Sequence, residues 1–208
     1  MDKKRILKIA AMIVFYGSLW GAAEATLGYL LHFLPPTIAG MTMFPIAVFI
    51  LIKAGKATGS RASLILVGLV AAGIKAVDLL IPGLMVFKTI NPMISIVLES
   101  LVVVAVYPVL RGTSVWGRIV AGPGMSMGWR SGYIIYMLAQ YLIAGNMTKF
   151  ISTPYMSFEF IVLGGLAGGL IVSGVLLAEP RLKAFNWKFR PAYAAAALAA
   201  ALCLQFIL

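Results

Sequence analysis

The sequence predicts an all-α integral membrane protein, a compact bundle of about seven transmembrane helices. Of its 208 residues, 62% are hydrophobic and only 11% are charged, and the mean hydropathy is +1.02. A soluble domain is about a quarter charged, so this chain lacks the polar residues that would cover a water-facing surface. Helices are expected because each one satisfies its own backbone hydrogen bonds inside lipid.

Seven apolar stretches are long enough, or nearly so, to cross a bilayer, which takes about 17–25 residues. Turn-forming segments such as LPPT, IPG and STPY separate them. We predict one transmembrane domain with spans over residues 9–34, 37–52, 62–81, 93–110, 132–148, 158–178 and 192–208. The first apolar stretch exceeds the about 7–15 residues of a signal peptide and lacks a convincing cleavage site, so we expect a retained helix.

The stretch VWGRIVAGPGMSMGWR before the fifth span allows two interpretations. It could begin a long helix that is broken at Gly122–Gly124, with Arg130 near mid-membrane. It could instead lie along the cytoplasmic interface, with Arg130 at the membrane edge. The sequence favours the interface, because GPG is a poor helix interior and because Trp116 and Trp129 suit an interface.

The positive charges predict the orientation. Thirteen of the 17 Lys and Arg residues lie before the first span or in alternate connections after it, whereas the other side has only Lys88 and Lys149. The positive-inside rule places the larger group in the cytoplasm. We therefore expect a protein of the cell membrane with its N-terminus inside and its C-terminus outside. The net charge of +11 follows from the same rule, and we expect no nucleic-acid partner.

Four charged residues lie in the interior of the predicted spans, all in the outer half of the membrane: Glu24, Lys75, Asp78 and Glu99. At about 1.5 Å per residue, they lie roughly 16, 10, 6 and 12 Å from the outer ends of their spans. Lys75 and Asp78 are three residues apart and can pair as a structural lock, which leaves an excess of two negative charges. Intramembrane charges usually face a cavity or a partner, so we predict an outward-facing polar pocket.

One face of the first span carries Tyr16, Trp20 and Glu24 at intervals of four residues. Two rings and a carboxylate on one face suit a flat ligand with hydrogen-bond donors or a positive charge. The alternative is that the rings pack against lipid or a neighbouring helix. In the sixth span, two Gly-xxx-Gly pairs in LGGLAGGL favour close helix packing, which we expect within this chain.

Most catalytic motifs are missing from the sequence. It contains no Walker A loop and no His-Glu-x-x-His. Residues 124–128, GMSMG, have the spacing of Gly-x-Ser-x-Gly, but Ser126 has no nearby histidine that could act as its base. A single histidine, His32, and a single cysteine, Cys203, are too few for a convincing zinc site. We therefore expect neither an enzyme nor a cofactor or metal.

Two stretches, FPIAVFILIKAGKATGSRASLILVGLVAAGIKAVDLL and INPMISIVLESLVVVAVY, resemble the second to fourth helices of the substrate-binding S component of energy-coupling factor (ECF) vitamin transporters. Glu99 stands where members of the thiamine-precursor branch often carry an acid. The resemblance implies capture of a vitamin or vitamin precursor from outside, followed by docking on a separate T component driven by two ATPase subunits.

The predicted substrate-binding residues are Trp20, Glu24, Lys75, Asp78, Asn91 and Glu99. In the family, small residues on the first helix contact the T component, and the nearest match here is Gly17, Gly21 and Ala25. The family usually has six helices, so the seventh, C-terminal span is an addition to that core. The N-terminal histidine motif of the nickel and cobalt members is missing, which argues against a metal as substrate.

Two other functions fit the same intramembrane charges. A small proton-coupled carrier would use the carboxylates as a proton relay. A non-catalytic assembly subunit would pair its charges with the helices of a partner. The carrier transports by itself, whereas an S component binds but does not pump alone.

Overall fold

A computed structural model describes residues 3–31, 33, 36–112, 114–181 and 189–207. Within these ranges every regular element is helical and no strand occurs. Five helices are long and apolar enough to cross a membrane, namely Lys3–Leu31, Ile38–Thr58, Ala62–Leu80, Val86–Leu110 and Pro154–Arg181. The predicted all-helical class is confirmed, and the apolar helices fit a multi-pass membrane protein.

The described residues form seven long helices, which we number in chain order. They are α1 (Lys3–Leu31), α2 (Pro36–Thr58), α3 (Ala62–Leu80), α4 (Val86–Gly112), α5 (Val115–Ala144), α6 (Pro154–Arg181) and α7 (Pro191–Ile207). α1 contains a π-helical segment at Glu24–Gly28, α6 contains another at Glu159–Leu163, and α3 ends in a 3-10 segment at Ala76–Leu80. His32, Lys183, Lys188 and the predicted span ends at residues 34 and 208 lie outside the described residues.

Successive helices run in opposite directions. α1 and α3 are parallel, since Gly17 lies against Val70 and Gly21 against Ile74, and α4 and α5 are antiparallel, since Gly128 lies against Val102 and Gly132 against Leu98. One end of the bundle thus holds the start of α1 and the α2–α3 and α4–α5 connections. We call it the basic end, because it collects Lys53, Lys56, Arg61 and Arg118; the other is the far end.

The small-residue face of α1 is used inside the chain and does not form an open docking surface. Gly17, Gly21 and Ala25 are all buried. A Cβ at Gly17 would lie 2.5 Å from Cβ of Val70, and one at Gly21 would lie 2.7 Å from Cδ1 of Ile74. The absent side chains therefore let α3 approach α1, and the predicted contact with a separate subunit at these residues has to be corrected.

The segment before the predicted fifth span is continuous with it in one helix and does not form a separate interfacial segment. α5 runs without a break from Val115 to Ala144, with Pro123 inside it, and ends at Gly145 (φ 66°). Tertiary packing outweighs the poor helix propensity of GPG, because Gly122 and Pro123 lie against Gly169 and Ser173 of α6. The same contact confirms that the glycine pairs of α6 pack within this chain. Arg130 consequently lies in the middle of α5 and is fully buried.

Other boundaries also differ from the prediction. α2 continues from residue 52 to Thr58, because Lys53 and Lys56 both pair with the buried carboxylate of Glu179 on α6. α4 begins at Val86, seven residues before the predicted span. α7 packs against α1 and is an apolar helix of 17 residues.

Candidate functional site

A cavity of about 230 Å³ lies toward the far end of the bundle. Residues from α1 to α6 and from the short helix Lys149–Ile151 surround it. Its lining consists of Glu24, Gly28, Leu31, Ala39, Gly40, Met43, Lys75, Pro92, Ser95, Glu99, Trp129, Tyr133, Phe150 and Phe160. Three of the six predicted binding residues, Glu24, Lys75 and Glu99, therefore share one cavity although they come from three helices.

Glu24 opens the π-helical segment of α1, a local irregularity that is frequent at functional sites. Trp20, one turn earlier, is fully buried, and its Nε1 donates a hydrogen bond of 3.3 Å to Oε1 of Glu24. A Cβ at Gly28 would lie 3.1 Å from Oε2 of Glu24, so the missing side chain leaves room for the carboxylate. Trp20 thus orients Glu24 from behind and does not itself line the cavity.

Glu99 is the most enclosed of the predicted carboxylates at the cavity, with 3% of its surface exposed. Oγ of Ser95, one turn earlier on α4, donates a hydrogen bond of 3.1 Å to Oε1. Oε2 is buried and has no hydrogen-bond partner within the described part of the chain. Glu99 lies close enough to Glu24 and Arg130 for their charges to interact. One carboxylate oxygen at the cavity is therefore free to accept a hydrogen bond.

Lys75 and Asp78 form the predicted intrahelical pair, with Nζ of Lys75 at 2.8 Å from Oδ2 of Asp78. Only Lys75 lines the cavity. Asp78 is turned toward α7, where Nε2 of Gln205 donates a hydrogen bond of 2.5 Å to Oδ1. The structure thus separates their roles, because Lys75 can reach a ligand while Asp78 joins two helices.

Asn91 belongs to a separate polar cluster between α4 and α5. Its Oδ1 accepts hydrogen bonds from Oη of Tyr136 at 2.9 Å and from Nε2 of Gln140 at 3.0 Å. Asn146 in turn donates to Oε1 of Gln140. Asn91 does not line the cavity, and its side-chain oxygen serves the contact between two helices. The i, i+4 spacing of Tyr136 and Gln140 is the sequence signal for this cluster.

Four aromatic residues that the sequence analysis did not assign form one wall of the cavity: Trp129, Tyr133, Phe150 and Phe160. The rings of Phe150 and Phe160 are 4.3 Å apart, and those of Trp129 and Phe160 meet edge to face at 5.8 Å. The i, i+4 spacing of Trp129 and Tyr133 signals a shared helical face. That signal was missed because the sequence placed Trp129 at the membrane interface.

Arg130 stands behind this wall. Its guanidinium carbon lies 4.7 Å from the ring centre of Trp129 and 4.8 Å from that of Phe160. Contacts of this kind are cation–π interactions, which stabilise the charge without using its hydrogen-bond donors. The sequence signal was the charge itself, because an arginine within an apolar helix is a functional candidate by default.

Among the residues that the structure describes, no group of three or more His, Cys, Asp or Glu side chains could hold a metal ion. What the cavity offers is two carboxylates, one ammonium group and an aromatic wall, which together can bind a small polar molecule. Comparison with protein-family profiles, curated proteins and solved structures finds no match.

Proposed function

We propose that this protein captures a small, flat molecule with hydrogen-bond donors or a positive charge, and passes it to a separate energy-coupling module as an S component does. The observation that carries the proposal is the free oxygen of Glu99. A buried carboxylate oxygen without a donor is costly, and this one belongs to a residue that lines a cavity. A donor from a bound molecule would remove that cost.

The walls of the cavity support the same class of ligand. The aromatic side chains offer ring faces for stacking and for contact with a cation, and Glu24 adds a second carboxylate. The volume of about 230 Å³ lies below the about 300–1,000 Å³ of sites for drug-sized ligands. A single ring system with a short polar substituent is the size that suits it.

The position of the cavity supports capture from outside. It lies toward the far end, and the positive-inside rule puts the basic end in the cytoplasm. A chain without a Walker A loop has to take its driving force from another subunit or from an ion gradient. The first alternative is the arrangement that the resemblance to S components implies, with a T component and ATPase subunits as partners and α7 as an additional helix.

A proton-coupled carrier is the second candidate, and the observation that favours it is the shared cavity of Glu24 and Glu99. Two carboxylates at one site can bind protons on one side of the membrane and release them on the other as the substrate is transported. Reconstitution of the purified protein alone into liposomes distinguishes the candidates. Uptake driven by a proton gradient would favour the carrier, whereas binding without uptake would favour the S-component function.

Native mass spectrometry of the detergent-purified protein tests the proposed capture. We expect the wild type to retain a molecule of small mass, and Glu99→Gln to lose it, because a hydrogen bond to a charged group is worth about 1.5–3 kcal/mol. That loss corresponds to about tenfold or more in Kd. Glu159→Gln is the matched control, since Glu159 lies at the same end but does not line the cavity. An empty wild type that no vitamin, precursor or amine stabilises thermally would contradict the proposal.

A further inference from the structure

The guanidinium group of Arg130 has no hydrogen-bond acceptor in the described part of the chain. The residue is 0% exposed, and none of Nε, Nη1 and Nη2 has a hydrogen-bond partner there. Oγ of Ser126, one turn earlier, and Nε1 of Trp129 are also buried and unpaired. Arginine stays protonated in proteins and offers five N–H donors. Buried polar groups in native structures nearly always have partners, so a set of unpaired donors around one arginine indicates a missing acceptor.

Arg130 does not line the cavity but lies directly behind residues that do. Trp129 and Phe160, which hold the guanidinium between them, both line the cavity. Gly40 of α2 lines it as well. A Cβ at Gly40 would lie 3.3 Å from Nη2 of Arg130. Because that position has no side chain, no Cβ crowds Nη2 on the side of α2 that faces the cavity.

The missing acceptor is not supplied by Glu99. No ion pair joins the two residues among those that the structure describes, although their charges interact. Oε2 of Glu99 is itself unpaired. Glu99, which lines the cavity, therefore lacks a hydrogen-bond donor for Oε2, and Arg130, which lies behind the cavity wall, lacks an acceptor. A single bound molecule with both groups satisfies both residues.

We infer that the ligand is amphoteric, with a carboxylate or similar acceptor bound by Arg130 and an ammonium or similar donor bound by Glu99. This inference rests on the proposed capture function and narrows its ligand class. A simple amine would satisfy Glu99 but would add a positive charge beside an uncompensated guanidinium. A simple acid would satisfy Arg130 but would add a negative charge beside Glu24 and Glu99. A zwitterion on a single ring provides a positive group for Glu99 and a negative group for Arg130.

Two sets of probes of matched ring and charge test this ligand class. The first set is phenylalanine, phenethylamine and 3-phenylpropionate, and the second is tryptophan, tryptamine and indole-3-propionate. Each set contains a zwitterion, a cation and an anion on the same ring. Thermal-shift titration of the detergent-purified protein gives an apparent Kd for each probe. In at least one set, we expect the zwitterion to bind at least tenfold more tightly than either singly charged probe.

Two variants connect that preference to Arg130. Arg130→Gln removes the charge, and Gly40→Ala keeps the charge but adds a methyl group 3.2 Å from the ring of Trp129 and 3.3 Å from Nη2 of Arg130. A disturbed Trp129 would weaken the amine and the zwitterion alike, whereas a hindered guanidinium would weaken only the zwitterion. We expect both to lower the affinity for the zwitterion to that for the amine. Gly40→Ala keeps the inference testable if Arg130→Gln fails to fold. Arg118→Gln is the control, since Arg118 lies on the same helix at the basic end and donates to the carbonyl oxygen of Leu176.

The outcomes separate the inference from the proposed function. If phenethylamine or tryptamine binds as tightly as its zwitterion, and Arg130→Gln keeps that affinity, the inference is overturned while capture stands. If no probe binds but a molecule co-purifies with the wild type, its chemistry decides: an amphoteric molecule supports the inference, and any other overturns it. If no probe binds, nothing co-purifies and no vitamin, precursor or amine stabilises the protein thermally, both the inference and the proposed function are overturned.

Discussion

Gln205 donates a hydrogen bond of 2.5 Å from its Nε2 to Oδ1 of Asp78, and this bond joins the last helix of the chain to the end of α3. Both residues are buried, each with 6% of its surface exposed. The other oxygen of Asp78 pairs with Lys75. The carboxylate is thus compensated on both sides within the bundle, and α7 is an integral part of the fold.

Replacement of Gln205 by leucine should destabilise the protein by about 1–3 kcal/mol, because Oδ1 of Asp78 would remain buried without a donor. Thermal unfolding in detergent measures the change. Cys203→Ala is the matched control, since Cys203 is exposed on the same helix and should change the unfolding temperature little. Equal unfolding temperatures for the two variants would show that this hydrogen bond does not hold α7 in place.

The contact between α5 and α6 predicts opposite effects for two alanine substitutions on one helix. A Cβ at Gly169 would overlap the backbone of Pro123, whereas a Cβ at Gly174 would meet nothing within 4 Å. Gly169→Ala should therefore cost at least about 1–3 kcal/mol, as overpacking does. Gly174→Ala should stabilise α6 by about 0.5–1 kcal/mol through helix propensity. Thermal unfolding of the two variants and the wild type measures these effects. Equal unfolding temperatures for the two variants would contradict the close contact between α5 and α6.

The helical class and the intramembrane charges could be predicted from the sequence, because both depend on local information. Apolar composition and spacing were enough for the helical class, and five of the described helices are long and apolar enough to cross a membrane. The three-residue separation of Lys75 and Asp78 was enough for their pairing, which the structure confirms. The depths of Glu24 and Glu99, counted along their own helices, were enough to anticipate a common level in the bundle.

The rest of the site depends on contacts between residues that are distant in the sequence. Gln205 is 127 positions from Asp78, and no local pattern relates them. GPG is helical where it packs against Gly169 on another helix, so a propensity argument at Pro123 favoured a break that the helix around Arg130 does not have. The aromatic wall combines α5 with Phe150 and Phe160, whose neighbours in sequence do not indicate that they meet.

Glu179 should be worth more to stability than either lysine that it binds. It is buried, with 4% of its side chain exposed, while the side chains of Lys53 and Lys56 are 26% and 56% exposed. Glu179→Gln leaves two cations without compensation and should cost about 1–3 kcal/mol, between the values for exposed and buried pairs. Lys56→Met should cost no more than about 1 kcal/mol, because Lys53 still pairs with the carboxylate. Unfolding temperatures in detergent measure the two losses of stability. A larger loss for Lys56→Met than for Glu179→Gln would contradict the prediction.

The orientation of the bundle can be tested with single cysteines, since Cys203 is the only native one. In a Cys203→Ala background, Ala57→Cys places an exposed thiol at the basic end and Ser152→Cys places one at the far end. The positive-inside rule predicts that a membrane-impermeant maleimide labels position 152 in intact cells and position 57 only after permeabilisation. The same background without an added cysteine is the control. Labelling of position 57 in intact cells would put the basic end outside, and the cavity would then open toward the cytoplasm, where an uptake protein cannot capture its substrate.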